Sequence, residues 1–375
     1  MDETERVPAP PSAPGEASQD FRAVSARERR AEYVSATADA SELLTEDEVE
    51  TEIAEEEATH RVVPRVKPRK TEDLDIEPPP RQHYAVNIRN DLRELWAHRE
   101  LGYTLVERDL RVRYKQAVLG GVWAVVQPLV LMVLFTVVFN KIAKITVPGV
   151  PYAAFSYTGL VAWGFFAGSI GYGTNAVLSN ASIIRKIYCP RELFPITSVA
   201  SSGFDYLISL VISVGFILFY GFLGSRPNLH PGITWFAFPL VLVILLALMT
   251  AATLFVSAVT VYFRDTRYGI PLLLQILLYG TPVAYPMELL TGGTVNGHTF
   301  ACPEQCPALG AGFFAHAYPY LNPLAPVIDG FHRIFLYHEW PMWGPLASAA
   351  VIGFGGLMLL YRWYKRIDRT FADVI

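Results

Sequence analysis

The stretch VLGGVWAVVQPLVLMVLFTVVFN, Val118–Asn140, runs for 23 residues without a charge. A helix that crosses a bilayer needs roughly 20 consecutive, mostly apolar residues, because the hydrocarbon core is about 30 Å thick and each residue rises about 1.5 Å. A helix on a soluble domain is apolar along one stripe, whereas this segment is apolar all round and predicts a membrane span. Five further segments fit the same template: Tyr152–Leu178, Leu193–Leu223, Thr234–Phe263, Ile270–Leu290 and Trp343–Tyr364. The expected fold is an all-α integral membrane protein with six transmembrane helices. A mean hydropathy of +0.28 and 52% apolar residues exclude an ordinary soluble domain.

The charges divide the chain. Residues 1–80 carry 21 Asp/Glu and 10 Lys/Arg, while the other 295 residues carry 14 and 21. An acidic, proline-rich front end has too little apolar surface to offset chain ordering, and its like charges repel. Residues 1–86 are therefore expected to be a disordered cytosolic tail, either regulatory or simply solvated. Within residues 87–117, Leu92, Leu95, Trp96, Leu101, Leu105, Leu110 and Val112 recur between Arg and Glu. That pattern predicts an amphipathic helix at the membrane interface, broken near Gly102, with Trp96 and Tyr103 at headgroup depth. Residues 118–375 form the six-span domain.

Cations flank spans on the cytosolic side. With six spans, the side holding the termini takes Arg93, Arg99, Arg108, Arg111, Arg113, Lys115, Arg185, Lys186, Arg191, Arg264, Arg267, Arg362, Lys365, Arg366 and Arg369. The opposite side takes only Lys141, Lys144, Arg226 and Arg333. Both termini are expected in the cytosol of a multi-pass cytoplasmic (inner) membrane protein. The loop Thr291–Pro341 is aromatic and apolar but interrupted by Pro319, Pro323 and Pro326. It predicts two short re-entrant helices on the outer side, enclosed by protein at membrane depth; a loop lying on the surface is the alternative. Cys302 and Cys306 lie in the same loop, where a disulfide can persist, and Cys189 lies in the reducing cytosol as a free thiol.

No G-x-x-x-x-G-K-[ST], H-E-x-x-H or G-x-S-x-G motif occurs. No catalytic residue, metal site, cofactor or nucleic-acid partner is expected. Asp205 is the clear intramembrane charge, read as a packing contact between helices. Glu304, Asp329 and Glu339 are read as scattered acids, which argues against a membrane glycosyltransferase. Sparse intramembrane charge argues against a proton-coupled flippase.

The segments LVERDLRVRYKQAVLGGVWAVVQPL and NASIIRKIYCPRELFPI, with the terminal RTFADVI, resemble the membrane subunit of ABC-2 type polysaccharide exporters. That class includes Wzm-like permeases for O-antigen, galactan and teichoic acid, which serve cell wall biogenesis. The resemblance covers roughly Asn87 to Ile375; the acidic tail and the Cys302–Cys306 insert depart from it. It implies a homodimeric channel, built with a second copy of this chain and driven by a separate Wzt-like ATPase subunit that uses ATP and Mg. The cargo would be a lipid-linked glycan; a small hydrophobic compound is the alternative cargo. The resemblance also implies a coupling helix around Ala181–Tyr188, stopped at Pro190. Ile183, Ile184 and Ile187 would enter the ATPase, flanked by Tyr188 and rimmed by Arg185, Lys186 and Arg191.

Such a channel must be wet yet tolerant of sugar sequence, and aromatic faces beside polar tips supply both properties. Trp123, Gln127, Phe135, Gln275 and Tyr279 are expected along it, with packing as the alternative role. Arg108, Arg111, Arg113 and Lys115 are expected to recruit the anionic headgroup of the glycan lipid; anionic membrane lipid is the alternative ligand.

Overall fold

A computed structural model describes residues 88–115, 120–147, 149–186, 189–222, 231–291, 293–295, 298–300 and 311–374. The acidic tail and both cysteines of the outer loop, Cys302 and Cys306, lie outside them.

Five of the described helical stretches are long and apolar enough to cross a membrane: Gly120–Ile142, Tyr152–Thr174, Leu193–Phe222, Ile233–Tyr262 and Trp343–Asp368. The chain is a multi-pass membrane protein. Two helices precede the first span, α1 (Ile88–Ala97) and α2 (Arg99–Tyr114). The break between them falls at His98, four residues before the expected site. There the His98 ring nitrogen Nδ1 bonds the Glu94 carbonyl at 2.9 Å. Gly102 instead sits inside α2, buried, and a Cβ there would meet the Leu193 side chain at 3.3 Å. Its role is to let α2 approach the next helices closely. Trp96 and Tyr103 are exposed on this pair of helices.

The first span contains α3 (Trp123–Phe135) and a wider, π-type continuation over Thr136–Ile142. Pro128 lies inside α3, where it removes one N–H donor. Thr136 Oγ1 donates to the Met132 carbonyl at 2.7 Å, just where the helix widens. The second span, α4 (Tyr152–Thr174), is the centre of the fold. Phe155, Ser156, Tyr157 and Ser169 are fully buried in it. Several of its hydroxyls donate to its own backbone, as Thr158 to Ala154 and Ser169 to Phe165, which pairs them inside the apolar bundle. Two single turns, α5 (Ala176–Ser179) and α6 (Ala181–Ile184), lead to α7 (Leu193–Phe222). A 3-10 turn, Ile233–Ala237, opens the next span and runs into α8 (Phe238–Tyr262).

The expected span Ile270–Leu290 takes a different form. It is a 14-residue helix, α9 (Thr266–Tyr279), followed by turns. Pro282 and Pro286 cannot donate to a continuing helix. The carbonyl freed at Gly280 is satisfied from elsewhere, by Tyr318 Oη at 2.8 Å and Asn322 Nδ2 at 3.1 Å. A single turn, α10 (Glu288–Thr291), precedes a short antiparallel pair, β1 (Gly293–Val295) and β2 (His298–Phe300), with Thr294 opposite Thr299. This hairpin is the departure from an all-α chain.

The proline-interrupted loop does hold two short helices, α11 (Ala311–Leu321) and α12 (Ala325–His332), the latter extended by a π turn over Arg333–Tyr337. Every residue from Ala325 to Tyr337 is buried. Phe331 and Phe335 pack on Phe238 of α8, and the His332 ring stacks on Phe155 of α4 at 3.9 Å. Only a glycine fits opposite that ring: a Cβ on Gly159 would lie 2.9 Å from both His332 Nε2 and the Val283 carbonyl. The last helix, α13 (Trp343–Val374), carries Arg362, Lys365, Arg366 and Asp368 toward its C-terminal end.

Candidate functional site

The loop between α5 and α7 interrupts two apolar helices with a basic, proline-bearing segment. Its helical part is α6 alone, four residues long, and Ile187 and Tyr188 lie outside the described residues. Ile183 and Ile184 are half-buried, and they turn toward the chain itself. Both pack on the cluster of Leu105, Ala176, Cys189, Leu193 and Phe194. Ile184 also joins a second cluster around Val177, Leu254, Ala258, Val261 and Tyr364. Ile183 and Ile184 thus help to hold α2, α7, α8 and α13 together by burial against the chain, while part of each side chain stays exposed. Ser182, Arg185 and Lys186 form the exposed face. Pro190 and Cys189 are buried, and burial pushes the Cys189 thiol above its usual pKa. Such a thiol is a packing group rather than a nucleophile.

Arg191, expected on a charged rim, faces inward as well. It donates to the Asp368 carbonyl and sits 3.3 Å from the Asp368 carboxylate, within ion-pair range. Tyr364 Oη donates to the Arg191 carbonyl at 3.1 Å. Glu192, wholly buried, accepts on Oε1 from Lys365 Nζ at 2.5 Å and from Tyr361 Oη at 3.2 Å. The end of α13 is thus fastened to the loop. One sequence signal pointed here: Glu192 is the single acid in a loop of cations.

A second feature is a cavity of about 780 Å³ between α3, α4 and α7. Trp123 and Gln127 line it, one turn apart on α3, with Trp163, Phe165, Tyr172 and Tyr206 opposite. Gly164, Ala167 and Gly168 keep its wall thin. At one end Arg113 Nη1 donates to Asp205 Oδ2 at 2.9 Å, Tyr114 Oη donates to Oδ1, and the guanidinium lies 3.8 Å over the Tyr172 ring. Asp205 thus anchors α2 to α7. Gln275 and Tyr279 are exposed on α9, away from this cavity. Phe135, expected along the path, is instead 2% exposed, with its ring against Phe139 and Tyr279. It packs α3 onto α9.

Three of the four cations expected to recruit a headgroup already have carboxylate partners. Arg108 pairs with Asp109 at 2.8 Å, Arg111 with Glu107 and Arg113 with Asp205. Lys115 is exposed at the end of α2.

The opposite end of the bundle holds a third feature. Arg333, 7% exposed, donates through Nε to Asp329 at 2.7 Å, through Nη1 to Glu339 at 2.7 Å and through Nη2 to Glu288. Asp329 and Glu339, read from sequence as scattered, converge here with Glu288. One cation faces three acids in a buried place. All three carboxylates are bound to the guanidinium, so the cluster is built as a structural knot and not as an acid–base pair open to substrate. Among the described residues, buried ion pairs are more numerous than the sequence suggested.

Comparison with known proteins fits this architecture. The ABC-2 type transporter family matches residues 100–294. The O-antigen export system permease protein RfbA of Myxococcus xanthus is 26% identical over 284 residues, covering 76% of this chain and 98% of the relative. Two relatives of the same name from Klebsiella pneumoniae are 27% identical over 192 residues and 26% identical over 238. They cover 51% and 63% of this chain, and 71% and 80% of their own lengths. With more than half of its length matched and its spans arranged as described, the chain belongs to the ABC-2 type transporter family.

Proposed function

We propose that this chain is the channel-forming permease of an ABC exporter that moves a lipid-linked polysaccharide across the cytoplasmic membrane. One observation carries the reading: the chain aligns with 98% of the length of an O-antigen export permease. In this reading α9, the turns after it and their partners on α11 complete a sixth crossing, so both termini are cytosolic, and α11 and α12 re-enter from outside. The buried polar knot on Arg333 supports the last point, since irregular backbone at membrane depth needs enclosure by protein.

Two copies form the channel, and a separate Wzt-like subunit supplies ATP hydrolysis with its own Mg. The exposed faces of α3 and α9, with Trp123, Gln127, Gln275 and Tyr279, are the surfaces offered to the second copy and to the glycan. Arg185 and Lys186 are the loop's outward face toward the ATPase. Lys115 and the partly exposed Arg108 and Arg111 face the inner-leaflet headgroups. Affinity purification of the tagged chain from its own membranes tests the reading. The expected result is a complex of equal copies of permease and nucleotide-binding subunit, with ATP hydrolysis stimulated by lipid-linked glycan. A chain that purifies alone, with no associated ATP hydrolysis, would contradict it.

A further inference from the structure

The loop and the last helix are joined by two consecutive residues, Arg191 and Glu192, which between them bond Tyr361, Tyr364, Lys365 and Asp368. We propose that the Glu192–Lys365 ion pair is the joint that carries movement of the loop into α13, making Glu192 a positioning residue for energy coupling and not a contact residue for the ATPase. This inference rests on the exporter reading above.

Glu192 is 0% exposed, and taking a carboxylate out of water costs several kcal/mol, so that a buried ion pair is rarely more stable than a well-packed apolar pair of the same volume. What an ion pair adds is a defined partner and a defined register. Here it fixes one point of the loop to one turn of α13. The surrounding charges make the register specific. Asp91 and Glu94 of α1 act electrostatically on the same ammonium, and Asp368 lies one turn beyond it against Arg191. Lys365 is therefore surrounded by acids, and a carboxylate at its position would be repelled on several sides.

The joint also leads somewhere. Tyr364 is fully buried among Val177, Leu254, Ala258 and Val261, with Ile184 and Ile367 against the same cluster. Trp363 rests on Phe255 of α8 with ring centroids 5.6 Å apart. Farther along, a Cβ on Gly353 of α13 would already lie 3.1 Å from Leu248 of α8. Helices packed this closely shift together as bodies instead of deforming independently. A push on the exposed face at Ser182, Arg185 and Lys186 thus reaches α13 and α8 through Glu192, while Ile183 and Ile184 hold the loop to α2 and α7.

The test uses the full complex in proteoliposomes, with metabolically labelled polyprenyl-linked glycan isolated from cells depleted of the chain. Glycan moved per ATP hydrolysed is measured for wild type, Glu192→Lys, Lys365→Glu and the double exchange. Each single exchange is expected to keep the ATPase bound and hydrolysing while transport per ATP falls roughly tenfold, within the usual span of coupling free energies. The double exchange restores the pair but leaves a carboxylate at position 365 facing Asp91, Glu94 and Asp368, so it is expected to recover part of the loss. Where a charge-reversed protein fails to accumulate, Glu192→Gln and Lys365→Met carry the same comparison. Wild-type transport per ATP in the single variants, or a parallel loss of ATPase binding and transport with no recovery in the double exchange, would overturn the joint. A wild-type chain that binds no ATPase would overturn the exporter reading itself.

Discussion

Lys365 Nζ lies 2.5 Å from Glu192 Oε1, linking the last helix to a loop that precedes the third span. The pair sets the tone of the whole structure. Its long-range ion pairs tie segments far apart in sequence, as Glu192 to Lys365, Arg113 to Asp205 and Arg333 to Glu288, around aromatic and aliphatic packing centred on α4.

The first prediction concerns that pair's role in stability. Glu192→Ala leaves Lys365, 18% exposed on its side chain, beside Asp91, Glu94 and Asp368 but without its hydrogen-bonded partner. Breaking a buried pair from one side costs about 3–5 kcal/mol; the remaining exposure and neighbouring acids put the expected loss at about 2 kcal/mol. Thermal unfolding in detergent should show a lower midpoint, with Glu192→Gln falling between the variant and wild type.

Gly159 gives a second, purely steric prediction. Its Cβ position is 2.9 Å from the His332 ring and from the Val283 backbone. The backbone oxygen cannot swing aside as a flexible side chain would. Gly159→Ala should destabilise by about 1–3 kcal/mol, the usual range for overpacking, and the corresponding drop in midpoint should be relieved in part by shortening His332 to Ala.

On the exporter reading, Trp123→Ala combined with Tyr279→Ala should reduce surface glycan at unchanged membrane abundance. Both side chains are about half exposed, and neither is among the buried core residues. Phe135→Ala should act differently: its ring is buried against Phe139 and Tyr279, so abundance should fall with transport. Quantitative blotting beside a surface-glycan assay separates the two outcomes.

Much of the fold was legible because membrane spans announce themselves locally. Val118–Asn140 and Thr234–Phe263 are apolar all round, and their helices follow within a few residues. The misread places depend on distant partners. α9 stops at Tyr279, ahead of Pro282 and Pro286, which the sequence displays; that Tyr318 and Asn322 meet the carbonyl freed at Gly280 is something no local pattern reveals. The spacing of Asp329 and Arg333, one turn apart, was visible in sequence; Glu288 closing on the same guanidinium was not. That Ile183 and Ile184 pack half-buried on the chain's own α2, α7, α8 and α13 is likewise decided by residues far away in sequence.

The most direct measurement of the central claim is depletion of the chain in its host, followed by separate quantification of lipid-linked glycan on the inner leaflet and polysaccharide at the surface. Export by this permease predicts that lipid-linked glycan builds up on the cytosolic side as surface polysaccharide falls, with both reversed on re-expression. Unchanged amounts on both sides of the membrane after depletion would contradict it.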